Sequence, residues 1–308
     1  MKSFWKRDLG LVPCEEWEPY CWVDVEIPTE EEQKFLFDEL GVPEAFFNDI
    51  EDVDERPRIE FEDDWFFILL RMPYKNVDVS LPFTTIPVGL IFKDDIFVSI
   101  SFYRTEVIPD FIQFTIRKGI VIKDHFDLVL RLMLSSSVWF LKYLKQINLD
   151  IRLAEDQLEK SIKNEDLQTL LSIEKCLVYF TTSLKGNDIL LHRIKNLRNY
   201  KDTYNPDLIE DVEIELRQAQ ETTSVHSDIL SGMMDAYASV ISNNLNNVMR
   251  QLTSISIILM IPTLIASIYG MNVPNGLENN PWGFGLVVLA SFFFSILGIV
   301  LFRRKKWF

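Results

Sequence analysis

The sequence predicts an α+β domain followed by a long helix and a two-helix membrane hairpin, and three observations carry that assignment. Gln251 to Gly270 and Phe284 to Phe302 are apolar runs without a formal charge, each about the 20 residues that a helix needs to cross roughly 30 Å of hydrocarbon. No proline stands between Pro206 and Pro262, so one helix of about 65 residues and roughly 100 Å can run from Pro206 to Gly270. Upstream, short β-type apolar runs alternate with helical periods, the mark of a mixed domain.

Within residues 1–126, Trp65-Phe66-Phe67-Ile68-Leu69-Leu70 reads as a buried strand, and Val88 to Ser101 reads as a hairpin turning at Lys93-Asp94-Asp95. Thr29 to Leu40 and Pro43 to Asp52 read as helices, each opened by a residue suited to a helix start. Residues 127–204 turn almost wholly helical. Leu128, Leu132, Val138, Leu141, Leu144, Leu149, Leu153 and Leu158 are expected to form one apolar stripe. The stripe breaks around Lys163-Asn164-Glu165, and a second helix from Asp166 to about Tyr200 should pack back as an antiparallel partner.

Asn205 then supplies an N-cap with Pro206 at the first helical position, opening a stalk over residues 205–250. Ile209, Val212, Leu216, Ala219, Leu230, Met233, Tyr237 and Val240 fall at alternating three and four spacing, weakened by Thr223 and His226. That is the seam of a coiled-coil-like association. A helix of this length is not stable alone in water, so the stalk is expected to associate with copies of itself.

The spans occupy 251–270 and 284–302, with a loop at 271–283 and a basic tail at 303–308. The loop holds no Lys or Arg and one acid, Glu278, whereas Arg250 precedes the first span and Arg303-Arg304-Lys305-Lys306 follow the second. The positive-inside rule therefore puts both termini in the cytoplasm and the loop outside.

The first span carries too many hydroxyls for a plain anchor. From Asn246, alternating three and four spacing gives Met249, Thr253, Ser256, Met260, Thr263, Ser267 and Gly270, a face of small or polar residues with two methionines. The remaining positions, among them Ile255, Ile257, Ile258, Leu259, Ile261, Leu264 and Ile265, are bulky and suit lipid. Small residues also permit close helix packing, but this stripe continues from the stalk and ends at Gly270, which favours a pore. Met249 with Leu252 could form a hydrophobic constriction that stops ions by dewetting. The second span, with only Ser291 and Ser295 as hydroxyls, reads as an outer ring.

The net charge of −15 argues against nucleic acid as a partner. Acids concentrate between Glu15 and Asp64; a solvated acidic face is the ordinary reading of such a block, and a surface attracting divalent cations the sharper one. Cys14, Cys21 and Cys176 are odd in number on the expected cytoplasmic side and read as reduced packing residues. His125, His192 and His226 show no zinc-ligand spacing. Met1 to Trp5 has no long apolar core behind it and is not expected to be a cleaved signal peptide. No Gly-rich phosphate loop or nucleophile-base arrangement is visible, so no enzyme is expected.

Tyr269-Gly270-Met271-Asn272 closes the first span. In that position, between two spans with a terminal basic cluster, it resembles the signature of the CorA family of magnesium channels. The segments Phe47-Asn48-Asp49-Ile50 and Arg56-Pro57-Arg58-Ile59-Glu60-Phe61 resemble that family's cytoplasmic domain. The resemblance implies a homopentameric funnel in the cell membrane, with an α/β/α sandwich on the cytoplasmic side and the first span around the pore. It implies Mg²⁺ as both cargo and regulator, passage of Co²⁺ and Ni²⁺, and no organic cofactor.

The same resemblance assigns Gly270, Met271 and Asn272 to the selective mouth, and registers Asn246, Met249, Met260 and Thr263 on pore-facing positions. It matches Asp49 to a carboxylate that meets a stalk carboxylate of the neighbouring subunit, which ungapped counting brings to Asp211, and it brings Asp235 to an acidic ring near the membrane. Asn48 stands where several relatives have Glu. Mg²⁺ dehydrates reluctantly, so a mouth that offers acceptors to its first-shell waters suits it; Asn272 supplies a side-chain carbonyl. A potential of 100 mV, inside negative, supplies about 4.6 kcal/mol to a divalent ion, enough for passive entry. A zinc-transporting branch of the superfamily is the nearest rival, against which Met271 weighs. A poreless membrane sensor or scaffold is the rival from another class.

Overall fold

The computed structural model describes residues 1–8, 10–76, 81–160, 164–197, 205–272, 276 and 280–305. The chain forms two compact units, Met1–Ser231 and Gly232–Phe308.

The first unit is built on a seven-stranded sheet: β1 (Lys2–Asp8), β2 (Gly10–Cys14), β3 (Trp22–Glu26), β4 (Arg58–Glu62), β5 (Trp65–Lys75), β6 (Phe83–Lys93) and β7 (Ile96–Ser101). Their order is β2-β1-β3-β7-β6-β5-β4. Only β3 and β7 run parallel, Val23 opposite Val98; every other pair is antiparallel. The expected hairpin is β6–β7, closed by Lys93 opposite Ile96. Asp94 takes a left-handed φ of 50° there, a conformation that Asp tolerates better than branched residues. β6 opens at Phe83 rather than Val88.

Helices cover both faces. On one side lie α1 (Glu30–Lys34), which continues into a π-helical turn over Phe35–Glu39, and α2 (Glu44–Glu51). Thr29 and Glu32 close a reciprocal capping box at the start of α1, satisfying two otherwise orphaned donors. Phe46, Phe47 and Ile50 of α2 pack with Phe67, Leu69, Ile91, Val98 and Ile100 of the sheet. Gly89 allows this approach: a Cβ there would stand 2.1 Å from Ile50 Cδ1.

On the other side lie α3 (Val107–Lys118) and α4 (His125–Lys160), and α5 (Asn164–Lys195) runs along the open edge of β5. Trp22 meets Phe111 of α3, Phe66 and Phe92 meet Phe126 of α4, and Asn187 of α5 bonds the backbone of Arg71 in β5. Strand side chains alternate, so β5 is apolar on both faces because both faces are covered. The result is the three-layer α/β/α sandwich expected.

Two helical expectations need correction. Leu149 and Leu153 are exposed, and the buried side of α4 is Leu144, Ile147, Ile151, Ala154 and Leu158. A stripe drawn through leucines alone had joined two faces. α5 starts at Asn164 and ends at Lys195; Lys163 and Tyr200 lie outside the described residues.

The helix α6 runs unbroken from Pro206 to Tyr269, with Pro262 inside it. Asn205 Oδ1 accepts from the Asp207 amide at 3.2 Å, the expected N-cap. In the first unit, Leu208, Val212, Leu216, Ala219, Thr223 and Leu230 are buried within their own chain. Gln220 Nε2 donates to Leu184 O at 3.1 Å, and Lys195 pairs with Glu213. The expected intermolecular seam is therefore intramolecular up to Leu230.

In the second unit, residues 232–269 of α6 are joined by α7 (Gly283–Arg304). Both α6 and α7 contain a stretch long and apolar enough to cross a membrane.

Candidate functional site

The site is the face of α6 that α7 leaves open. Within residues 251–269, Ser254 is fully buried and Ile258, Ile261, Pro262, Ile265 and Tyr269 are half-buried. A Cβ on Gly298 of α7 would stand 3.6 Å from Ile261 Cδ1 and 3.7 Å from Ile258 Cγ1. α7 thus covers the side of Ile258 and Ile261, and these isoleucines face protein rather than lipid as first expected. At about 100° per residue, the covered positions all point at least about 120° away from Met249. Asn246, Leu252, Thr253, Ser256, Met260, Thr263 and Ser267 lie within about 60° of Met249 by the same count, and all are exposed. The polar stripe stands opposite α7, the helix that packs on the span among the described residues.

The stripe extends below the span. Ser242 and Asp235, four and eleven residues before Asn246, fall on the same face and are exposed. Ser242 had been missed, although its spacing to Asn246 and Met249 places it there. The hydroxyls of the stripe have a defined polarity. Thr253 Oγ1 donates to Met249 O at 2.8 Å, and Thr263 Oγ1 donates to Leu259 O at 3.0 Å. Each spends its proton on the helix and leaves oxygen lone pairs outward, an arrangement suited to a cation or its waters.

α6 ends at Tyr269 with no basic residue in its last turn, so the negative end of the helix dipole stands uncompensated by a cation there. Gly270 N donates to Ala266 O at 2.9 Å and Met271 N to Ile268 O at 3.4 Å. Gly270 is not left-handed; a Cβ there would instead come 3.2 Å from Ala266 O, so the glycine serves a tight helix end. Met271 and Asn272 follow, both exposed. Glu278 lies outside the described residues.

Asp49 is not a free carboxylate. Its Oδ2 accepts from Arg58 Nη2 at 2.6 Å, and the same guanidinium pairs with Glu55 and with Glu60 at 2.6 Å. Partial burial raises the Asp49 pKa, helped by Glu55 and Glu60 and opposed by Arg58. Asp211 and Asp235 are exposed. Among the described residues no three His, Cys, Asp or Glu side chains gather to hold a metal ion.

A family model described as CorA-like Mg²⁺ transporter protein matches residues 17–304. The chain belongs to this family. CorA proteins are divalent cation transporters rather than enzymes, and the two apolar helices are those of a membrane protein. The chain is 26% identical to the cobalt/magnesium transport protein CorA of Methanocaldococcus jannaschii, over 93% of this chain and 90% of that one. It is 28% identical to the cobalt/magnesium transport protein CorA of Thermotoga maritima, over 87% and 77%. The complete structure of the CorA magnesium transporter from M. jannaschii superposes with a TM-score of 0.85 at 24% identity, covering 100% of this chain and 99% of that one. The CorA fold therefore extends over the whole chain, as the tripeptide and the two spans had led one to expect.

Proposed function

We propose that this chain is a CorA-type Mg²⁺ channel of the cell membrane: five copies surround one axis, and the stripe from Asp235 to Ser267 lines the pore. The observation that carries this reading is the placement of that stripe opposite α7. A poreless sensor needs no polar, exposed face along a membrane span, and such a face in hydrocarbon would be costly. The stoichiometry of five comes from the family resemblance.

On this reading both termini are cytoplasmic and Asn272 faces outward. Five α6 C-termini and five Asn272 carbonyls converge on the entering ion, which keeps its first-shell waters. Threonine and serine oxygens accompany it down the span, and Met249 with Leu252 narrows the inner end. The inside-negative potential drives entry. Co²⁺ and Ni²⁺, of similar charge and hydration, pass by the same path. The test is entry of Mg²⁺ into proteoliposomes holding an indicator, with and without an inside-negative potential. Entry that rises with potential is expected; transport of Zn²⁺ alone, or no flux, overturns the assignment.

Regulation by internal Mg²⁺ follows from Asp211 on one subunit and Asp49 on the next, like charges that repel until a cation joins them. Arg58 pairs with Asp49 but is shared with Glu55 and Glu60, so the ion competes with a divided partner at Asp49, and Asp211 contributes a further exposed charge. Asp211→Ala should shift inhibition by internal Mg²⁺ to concentrations about tenfold higher, a loss of roughly 1.4 kcal/mol. An unchanged inhibition curve removes Asp211 from the sensor.

A further inference from the structure

Between α5 and the segment at residues 53–58 lies an open cleft of about 760 Å³, with Arg56, Arg71, Lys185 and Arg193 on its walls. Arg58 also reaches it, and Asp49, Glu55 and Glu60 all pair with that one guanidinium. The four other cations share the walls with Asp54 and Glu55. In a chain of net charge −15, five basic side chains gather in one cleft. None of the four other cations belongs to the ion pathway.

Arg71 gives the cleft a buried, fixed charge. Its side chain is 7% exposed, yet it donates only to uncharged oxygens: Thr85 O at 2.7 Å, Thr85 Oγ1 at 2.9 Å, Glu55 O at 3.3 Å and Val53 O. Among the described residues no carboxylate oxygen comes within 4.0 Å of it. With Nε also donating to Thr85 Oγ1 at 3.3 Å, all five of its N–H donors are taken, so it offers the cleft a fixed charge and no free donor. Burial lowers its pKa, with Asp54 and Asp52 acting only from farther off.

The surroundings hold this cation in place. Asn187 bonds both backbone atoms of Arg71, at 3.1 and 2.8 Å, and Ser183 Oγ meets Thr85 Oγ1 at 2.7 Å. Pro57 lies so close to Gly186 that a Cβ there would stand 2.7 Å from Pro57 Cγ. Arg56, Lys185 and Arg193 are exposed at the rim. Val178, Tyr179 and Ile189 add an exposed apolar and aromatic wall.

We propose that this cleft binds a nucleotide, with its phosphates among Arg56, Lys185 and Arg193 above the fixed charge of Arg71 and its base against Tyr179. The size and the mixture of apolar wall and few polar anchors are those of a small-molecule site. Guanidinium groups match phosphate oxygens bidentately, and a ring face offers stacking.

Full-length protein in detergent, at fixed free Mg²⁺, would be titrated calorimetrically with ATP, ADP and pyrophosphate. Saturable ATP binding that weakens with salt is expected, at least about tenfold weaker in the Arg56→Ala/Arg193→Ala variant and unchanged in Lys118→Ala. Lys185→Gln and Arg193→Gln, each exposed, keep the test readable if the double variant does not assemble. Absence of saturable binding by the unaltered protein, or binding that these variants retain in full, overturns the proposal. Pyrophosphate binding as tight as ATP overturns the nucleotide assignment. If no small anion binds and Arg56→Ala/Arg193→Ala instead loosens the oligomer, the cleft receives an acidic segment of a second copy and the proposal falls.

Discussion

Asn272→Ala is expected to abolish Mg²⁺ entry into proteoliposomes under an inside-negative potential, a fall of at least about 100-fold, or roughly 2.7 kcal/mol. One hydrogen bond to a charged partner contributes roughly 1.5–3 kcal/mol, and in a pentamer the variant removes five acceptors from one ion at once. The loss is greater because the ion retains its waters: Asn272 must replace outer-shell hydration in a fixed geometry. The α6 C-termini remain in the variant and still attract cations, so the ion should bind near the mouth and fail to pass. Flux measured beside the unaltered protein, with both assembled alike, checks this. Near-normal entry in Asn272→Ala would remove the side chain from selection and leave the backbone carbonyls alone at the mouth.

The membrane half of the fold was legible in the sequence because its physics is local. Two uncharged runs, a loop without Lys or Arg and a terminal basic cluster need no knowledge of tertiary contacts. Thr29 and Asn205 likewise announced helix starts that the structure bears out, since a cap acts within one turn. The sheet was less legible. The pairing of β3 with β7 joins Trp22 to Phe97, a contact across some seventy residues that no short window contains.

The stalk shows the limit of periodicity most clearly. Val212, Leu216 and Ala219 announce a covered face, but the spacing is the same whether the cover is α5 of the same chain or a neighbour's helix. Only the structure places it in the same chain. Below the membrane, Leu245 and Val248 in the second unit remain exposed in the single chain, and there the expectation of self-association stands. Arg71 was hidden for a different reason. Within the apolar run of β5 it looks like an interruption at a strand edge, and only the tertiary structure shows the ring of carbonyls that lets a guanidinium stay buried.

Asp24 was hidden in the same way, and it yields the second large effect. It lies in β3 beside Ser99 of β7, on the face opposite Val23 and Val25. Ser99 Oγ donates to Asp24 Oδ1 at 2.5 Å and itself accepts from Trp22 Nε1 at 2.8 Å. Among the described residues no Lys or Arg pairs with it. Burial pushes the Asp24 carboxyl up to about 7, the Ser99 bond pulls it down, and Glu26 adds to the rise. Unfolded, the same carboxyl titrates near 3.9. Between these values the folded chain holds a proton that the unfolded chain has lost. The contribution to stability is therefore complete below about pH 4 and is lost as pH rises through about 7, up to about 4 kcal/mol in all.

Asp24→Asn keeps an acceptor for Ser99 and never ionises. It should match the unaltered protein within about 1 kcal/mol at pH 5 and melt several degrees higher at pH 8, by roughly 2–4 °C per kcal/mol for a unit of this size. Thermal melting of the detergent-solubilised protein at both pH values checks this. Equal destabilisation at pH 5 and pH 8 would mean that the carboxyl titrates normally in place, and that the network of Trp22, Ser99 and Asp24 favours the ionised form.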